Sequence, residues 1–130
     1  MYETTVDTKG RRVMTTWGPL VTDASLMDYQ ESVWRDPSVH GFDELIDFRA
    51  LETIEVTTEG LEAVAHTAAG MDAIAGSGRF AIVVGDSLSY GLSRMYKAFR
   101  ELEATASREV MTFKRMEEAL GWLDRAPETP

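Results

Sequence analysis

The chain has 130 residues, no cysteine, 44% hydrophobic and 27% charged residues, and a net charge of −9. This leaves room for one domain with a sizeable core. It excludes disulfides, thiol nucleophiles and cysteine-held zinc or iron–sulfur sites, and it gives a surface that repels nucleic acid and anionic lipid. No apolar run reaches the length of a membrane span, and MYETTVDTKGRR has no apolar leader core. A cytoplasmic protein without membrane insertion is the expectation.

Period-two alternation over Tyr2 to Thr8 and Arg12 to Trp17, with Lys9-Gly10 between, predicts an opening β-hairpin. Gly18-Pro19 ends its second strand. Thr22 or Asp23 caps a helix reaching about Arg35, which Asp36-Pro37 terminates. FDELIDF is the third strand. Thr57 or Thr58 opens a second helix whose Leu61, Val64, Ala65, Ala68 and Met71 share one face. GSG at Gly76 to Gly78 breaks it. Phe80 to Val84 is apolar at every position, so it reads as a central strand buried on both sides.

A third helix follows, with Leu88, Leu92, Met95, Phe99 and Leu102 as its core stripe. Arg108 to Phe113 is the last strand, and Met116, Ala119, Leu120 and Leu123 mark the last helix. The order is ββαβαβαβα over residues 1–125, with 126–130 as a flexible tail. Strands separated by helices must be parallel neighbours joined by right-handed crossovers, so the fold class is α/β. The sheet is single, mixed and mostly parallel, with the hairpin strand antiparallel at one edge.

AIVVGDSLSYG, residues 81 to 91, resembles the nucleophile block of the GDSL esterases. The resemblance stops at GDSLS. There is no asparagine for an oxyanion hole, and both histidines, His40 and His66, precede Ser87, so no imidazole base follows it. Asp86 or Ser87 as a helix N-cap accounts for the same letters. The esterase reading is disfavoured and no catalytic residue is assigned.

ELIDFRALETIEVTTEGLEAV resembles the central segment of STAS domains, the sulfate-transporter and anti-sigma-factor-antagonist fold also called SpoIIAA-like. Its counterparts here are Ile46, Asp47 and Phe48, then Ile54, Thr57, Thr58, Gly60 and Leu61. VVGDSLSYGLSRMYKAF and EVMTFKRMEEALGWL are similar to a group of uncharacterised bacterial STAS/Sec14-like single-domain proteins. The resemblance implies a non-enzymatic regulatory or protein-interaction domain with a SpoIIAA-like fold. Its Sec14-like side implies, as the alternative, a small-molecule or lipid carrier with a pocket near residues 85–94.

In anti-sigma-factor antagonists a hydroxyl residue at this helix start is phosphorylated, which makes Thr57 and Thr58 candidate switch residues. The family pattern is close to Ile-Asp-Ser-Ser-Gly-Leu. Here two further residues and Glu59 intervene, and a threonine N-cap is the preferred reading.

No metal or cofactor site is expected, because the histidines share no ligand spacing. Tyr90, Arg94 and Lys97, with Arg100 continuing the line, are spaced to form a basic strip away from the core stripe. With Ser87 they are the candidate site for a protein partner or a small anionic or apolar ligand. The helix start lies past a central strand, where open α/β sheets bind ligands. A homodimer is the expected assembly. Met14 and Trp17 point to opposite faces of the hairpin, so one of them should look outward beside an unpaired edge strand.

Overall fold

The computed structural model describes residues 1–75 and 78–125. The helix break expected at Gly76 and Ser77 and the tail 126–130 lie outside the described residues. The hairpin is β1 (Tyr2–Asp7) and β2 (Arg12–Trp17). The following strands are β3 (Leu20–Thr22), β4 (Asp43–Asp47), β5 (Thr53–Glu55), β6 (Arg79–Val83) and β7 (Glu109–Phe113). The helices are α1 (Asp23–Val33), α2 (Thr58–Ala75), α3 (Ser87–Glu101) and α4 (Met116–Asp124), with a short 3-10 turn at Pro37–Val39.

The main sheet has five strands in the order β1-β2-β4-β6-β7. β1 is antiparallel to β2, and every other pair is parallel. This is the expected mixed, mostly parallel α/β sheet with the hairpin strand at its edge. Two strands were not foreseen. β3 and β5 form a separate two-stranded parallel sheet, pairing Val21 with Ile54. Each is only three residues long. A run that short shows no alternation for a period-two pattern to register.

Each parallel strand lies beside the one before it, so crossovers of one hand put α1, α2 and α3 on the same face. The register aligns side chains across the sheet. Thr15, Ile46, Ile82 and Thr112 form one row, and Met14, Leu45, Ala81 and Met111 the next. The first row faces the large core built with α1 to α3, around Val13, Trp17, Tyr29, Phe80 and Val110. The second faces a smaller cluster under α4, with Val83, Ala119, Trp122 and Leu123. Arg79 fastens α4 there, its Nη1 donating to the carbonyls of Trp122 and Arg125, both at 2.7 Å. Both carbonyls sit at the C-terminal end of α4, where intrahelical donors run out.

Two expectations change. Met14 does not look outward. It is half-buried and packs against the α4 cluster, while Trp17 is fully buried on the other face. The covering comes from α4, the one helix that follows the last strand and is free to close the opposite face.

The apolar stripe of α3 is a core stripe only in part: Leu92 and Phe99 are half-buried and pack against the large core, and the other three residues are not. Leu88, Met95 and Leu102 are 61%, 37% and 82% exposed, whereas Ser89, Ser93, Tyr96 and Arg100 are buried. The helix is rotated because its polar residues have partners inside, as the site geometry shows.

Candidate functional site

Helix α3 begins where β6 ends. Asp86 is its N-cap and accepts from Ser89 N at 2.7 Å. That amide bond, together with the Ser89 hydroxyl, holds the Asp86 carboxyl below the usual aspartate range. Ser87 is therefore the first helical residue and not the cap. It is exposed, and among the described residues its hydroxyl makes no hydrogen bond.

The inward face of α3 is polar and paired. Ser93 Oγ lies 2.9 Å from Thr112 Oγ1 on β7 and also donates to Tyr90 O. Arg100, assigned from its spacing to the exposed basic strip, is in fact buried. Its guanidinium donates to Tyr96 OH at 3.0 Å and to Asp72 Oδ1 on α2. Asp72 Oδ2 also receives the backbone amides of Ser107 and Arg108. Burial opposes the charge on Arg100, but Tyr96, Asp72 and Glu44 together raise its pKa above the ordinary value.

Arg108 extends the cluster. Its Nη1 donates to Phe42 O at 3.0 Å, and its guanidinium lies 4.5 Å from the Trp34 ring centroid. The Trp34 indole donates to Glu44 Oε2 at 3.1 Å, and Tyr29 OH donates to the same oxygen at 2.7 Å. Burial raises the pKa of Glu44, while Arg108, Tyr29 and Arg100 work against that rise. Tyr29, buried beside this carboxyl, is raised well above an ordinary tyrosine.

The outward face of α3 combines apolar and basic groups. Leu88, Gly91, Met95, Ala98 and Leu102 follow one another at alternating three- and four-residue steps, and all five are exposed. Beside them Arg94 Nη1 donates to Tyr90 OH at 3.0 Å, and Lys114 Nζ sits 5.2 Å from the Tyr90 ring centroid. Tyr90 and Arg94 are thus together, as the strip predicted. Lys97 lies 4.0 Å from Glu101 Oε1 at the far end. Lys114 was missed, since it belongs to the turn after β7 and no helical spacing points to it. Among the described residues, neither Arg94 nor Lys114 has a carboxylate partner within salt-bridge distance.

Thr57 and Thr58 belong to a different arrangement. Asp23 at the start of α1 receives Thr57 N at 2.9 Å and Thr57 Oγ1 at 2.6 Å, and Gly60 N donates to Thr57 Oγ1. Thr57 caps α2 and ties it to α1. Gly60 permits the close approach, because a Cβ there would fall within 2.3 Å of the Asp23 carboxylate. Thr58 is exposed in the first turn. A phosphoryl group on Thr57 would replace a hydroxyl that donates to a carboxylate with an anion facing it.

Behind α3 lies a partly open cavity of about 60 Å³, lined by α1, α2, α3, the sheet and the segment after β4. Leu26, Ile46, Leu61, Val64, Ile82 and Leu92 contribute its walls. His66 is exposed, and its Nδ1 lies 2.9 Å from Glu103 Oε1. Among the described residues no group of His, Asp or Glu has the geometry to hold a metal ion, and no helix is long and apolar enough to cross a membrane. Comparison with protein-family models, with curated proteins and with solved structures finds no match for this chain.

Proposed function

We propose that this chain is a non-enzymatic protein-interaction domain of the STAS, SpoIIAA-like kind. It docks an acidic, amphipathic segment of a partner protein on the outer face of α3. The observation that carries the reading is the rotation of that helix. Leu88, Met95 and Leu102 face solvent beside Arg94 and Lys114, which lie against the Tyr90 ring and have no carboxylate partner among the described residues, on a protein whose net charge is −9. Exposed apolar side chains in a contiguous row mark interaction surfaces. Local cations on an acidic protein select a partner segment of opposite charge, while the net negative charge carried by every copy opposes self-association. The opening hairpin, the strand–helix alternation and the Ile46 to Leu61 segment support the SpoIIAA-like assignment.

The test is in-cell photocrosslinking from the native host, with a photoreactive residue at Met95 and, as control, at Val6 on β1. The expected result is one discrete adduct from position 95 only. The crosslinked peptide is acidic with spaced apolar residues, and Arg94→Glu abolishes the adduct. Adducts formed equally from both positions, adducts holding only a second copy of this chain, or none at all would overturn the reading.

A further inference from the structure

The cavity behind α3 carries an inference of its own. Polar residues border it, yet each already has a partner within the protein. Tyr29 donates to Glu44, Tyr96 accepts from Arg100, and Gln30 Nε2 points to Met71 Sδ at 3.4 Å. Ser89 and Ser93 are held by Asp86, Tyr90 and Thr112. What remains facing the space is almost wholly carbon. A water molecule needs two to four polar partners and finds few here, so such a cavity stays dry. A dry void forfeits the dispersion contacts of its lining, and that cost grows with its volume. The half-buried Phe48, Leu51, Ile54 and Val56 also line it. They come from the segment after β4, at the carboxyl ends of the parallel strands, where α/β sheets open to ligands.

We propose that this cavity is a binding site for a small, uncharged, mainly apolar molecule, such as a short-chain alcohol or a comparable hydrocarbon end. Size follows from volume. At roughly 10–15 Å³ per water-sized probe, a cavity of about 60 Å³ holds on the order of four to six non-hydrogen atoms. Charge is disfavoured by the walls, because an ion entering would lose its hydration and meet almost only carbon. The site differs from the outer face of α3 in every residue that contacts a ligand, so each can fail without the other.

The probes are 1-butanol, butylammonium chloride and sodium butyrate, titrated into the whole protein with methyl NMR as readout. With 1-butanol the shifts saturate and centre on the methyl groups of Ile46, Leu61, Val64, Ile82 and Leu92. Half-saturation comes at a concentration about tenfold lower than for either ion, a factor worth about 1.4 kcal/mol. Val64→Phe fills the space and removes the saturable shifts. If that variant does not fold, Leu61→Ala serves, since an enlarged cavity binds the longer 1-hexanol more tightly than the wild type does. Shifts that never saturate, shifts that fall on Leu88, Met95 and Leu102 instead, or ions that bind as well as the alcohol would overturn the proposal.

Discussion

Helices α2 and α3 lie side by side on the same face of the sheet, and each has an apolar stripe at helical spacing. In α2 the stripe goes inward, with Leu61, Val64, Ala65 and Ala68 buried. In α3 most of it turns outward, and the buried residues are Ser89, Ser93, Tyr96 and Arg100. Apolar spacing gives the phase of a helix but not which side faces the core. In α2 only one side can be buried without cost. In α3 the polar side finds Asp72, Thr112 and the Asp86 cap, so burying it leaves few donors unpaired. Among the buried side-chain polar atoms described on α3, only the Nε of Arg100 lacks a partner. A buried charge is tolerated when it is paired and hydrogen-bonded.

The sharpest way to break this comparison is to remove the pairing. Asp72→Ala leaves Arg100 and Arg108 buried without their shared carboxylate, and the expected loss of stability is about 3–5 kcal/mol, read by urea unfolding. A loss below about 1 kcal/mol would mean that the polar side of α3 is not what orients it.

The next contrast uses one substitution in both helices. Leu61→Ala should cost about 2–5 kcal/mol by opening the core, whereas Leu102→Ala should stay within about 0.5 kcal/mol. Equal losses would show that the α3 stripe is buried after all.

At the helix starts, Thr57→Ala and Asp86→Ala should each cost about 1 kcal/mol, since each deletes a cap. Their neighbours Thr58→Ala and Ser87→Ala should change thermal unfolding by less than about 0.5 kcal/mol.

The smallest effect is a slope. Burial raises the pKa of Glu44 above the ordinary 4.5, so the folded protein holds that proton more tightly than the unfolded chain. Its contribution is present in full below the ordinary value and is lost as pH rises through the raised one. Glu44→Gln should flatten the urea midpoint over that range. The depressed carboxyls of Asp47 and Asp86 act below about 3.8 with the opposite sign, so the two windows do not overlap. A slope unchanged in Glu44→Gln would assign it elsewhere.

Much of the architecture was legible. Alternation in the hairpin, the wholly apolar Phe80 to Val84, and Thr22, Asp86 and Thr57 as cap-type residues lead to the sheet and its four helices without coordinates. What was not legible depends on partners far apart in sequence. Arg100 reads as a surface cation until Asp72, on another helix, is placed beside it. Lys114 joins Tyr90 only across the turn after β7, and the pairing of β3 with β5 rests on two three-residue segments. Of the candidate site, the contact of Tyr90 with Arg94 follows from an i, i+4 spacing. The cavity does not follow from any local pattern, since its walls come from every layer of the domain.

The buried cluster constrains how this protein can change over generations. Asp72, Glu44, Arg100 and Arg108 are two acids and two bases sharing one interior. Neutralising any one of them leaves an odd charge behind, and the first step of any exchange is therefore the damaging one. Replacing an acid and a base together by apolar side chains of similar volume removes both burdens at once. Descendants of this sequence should thus keep all four residues or lose them two at a time, and a lineage holding three of them should carry a compensating change within contact distance.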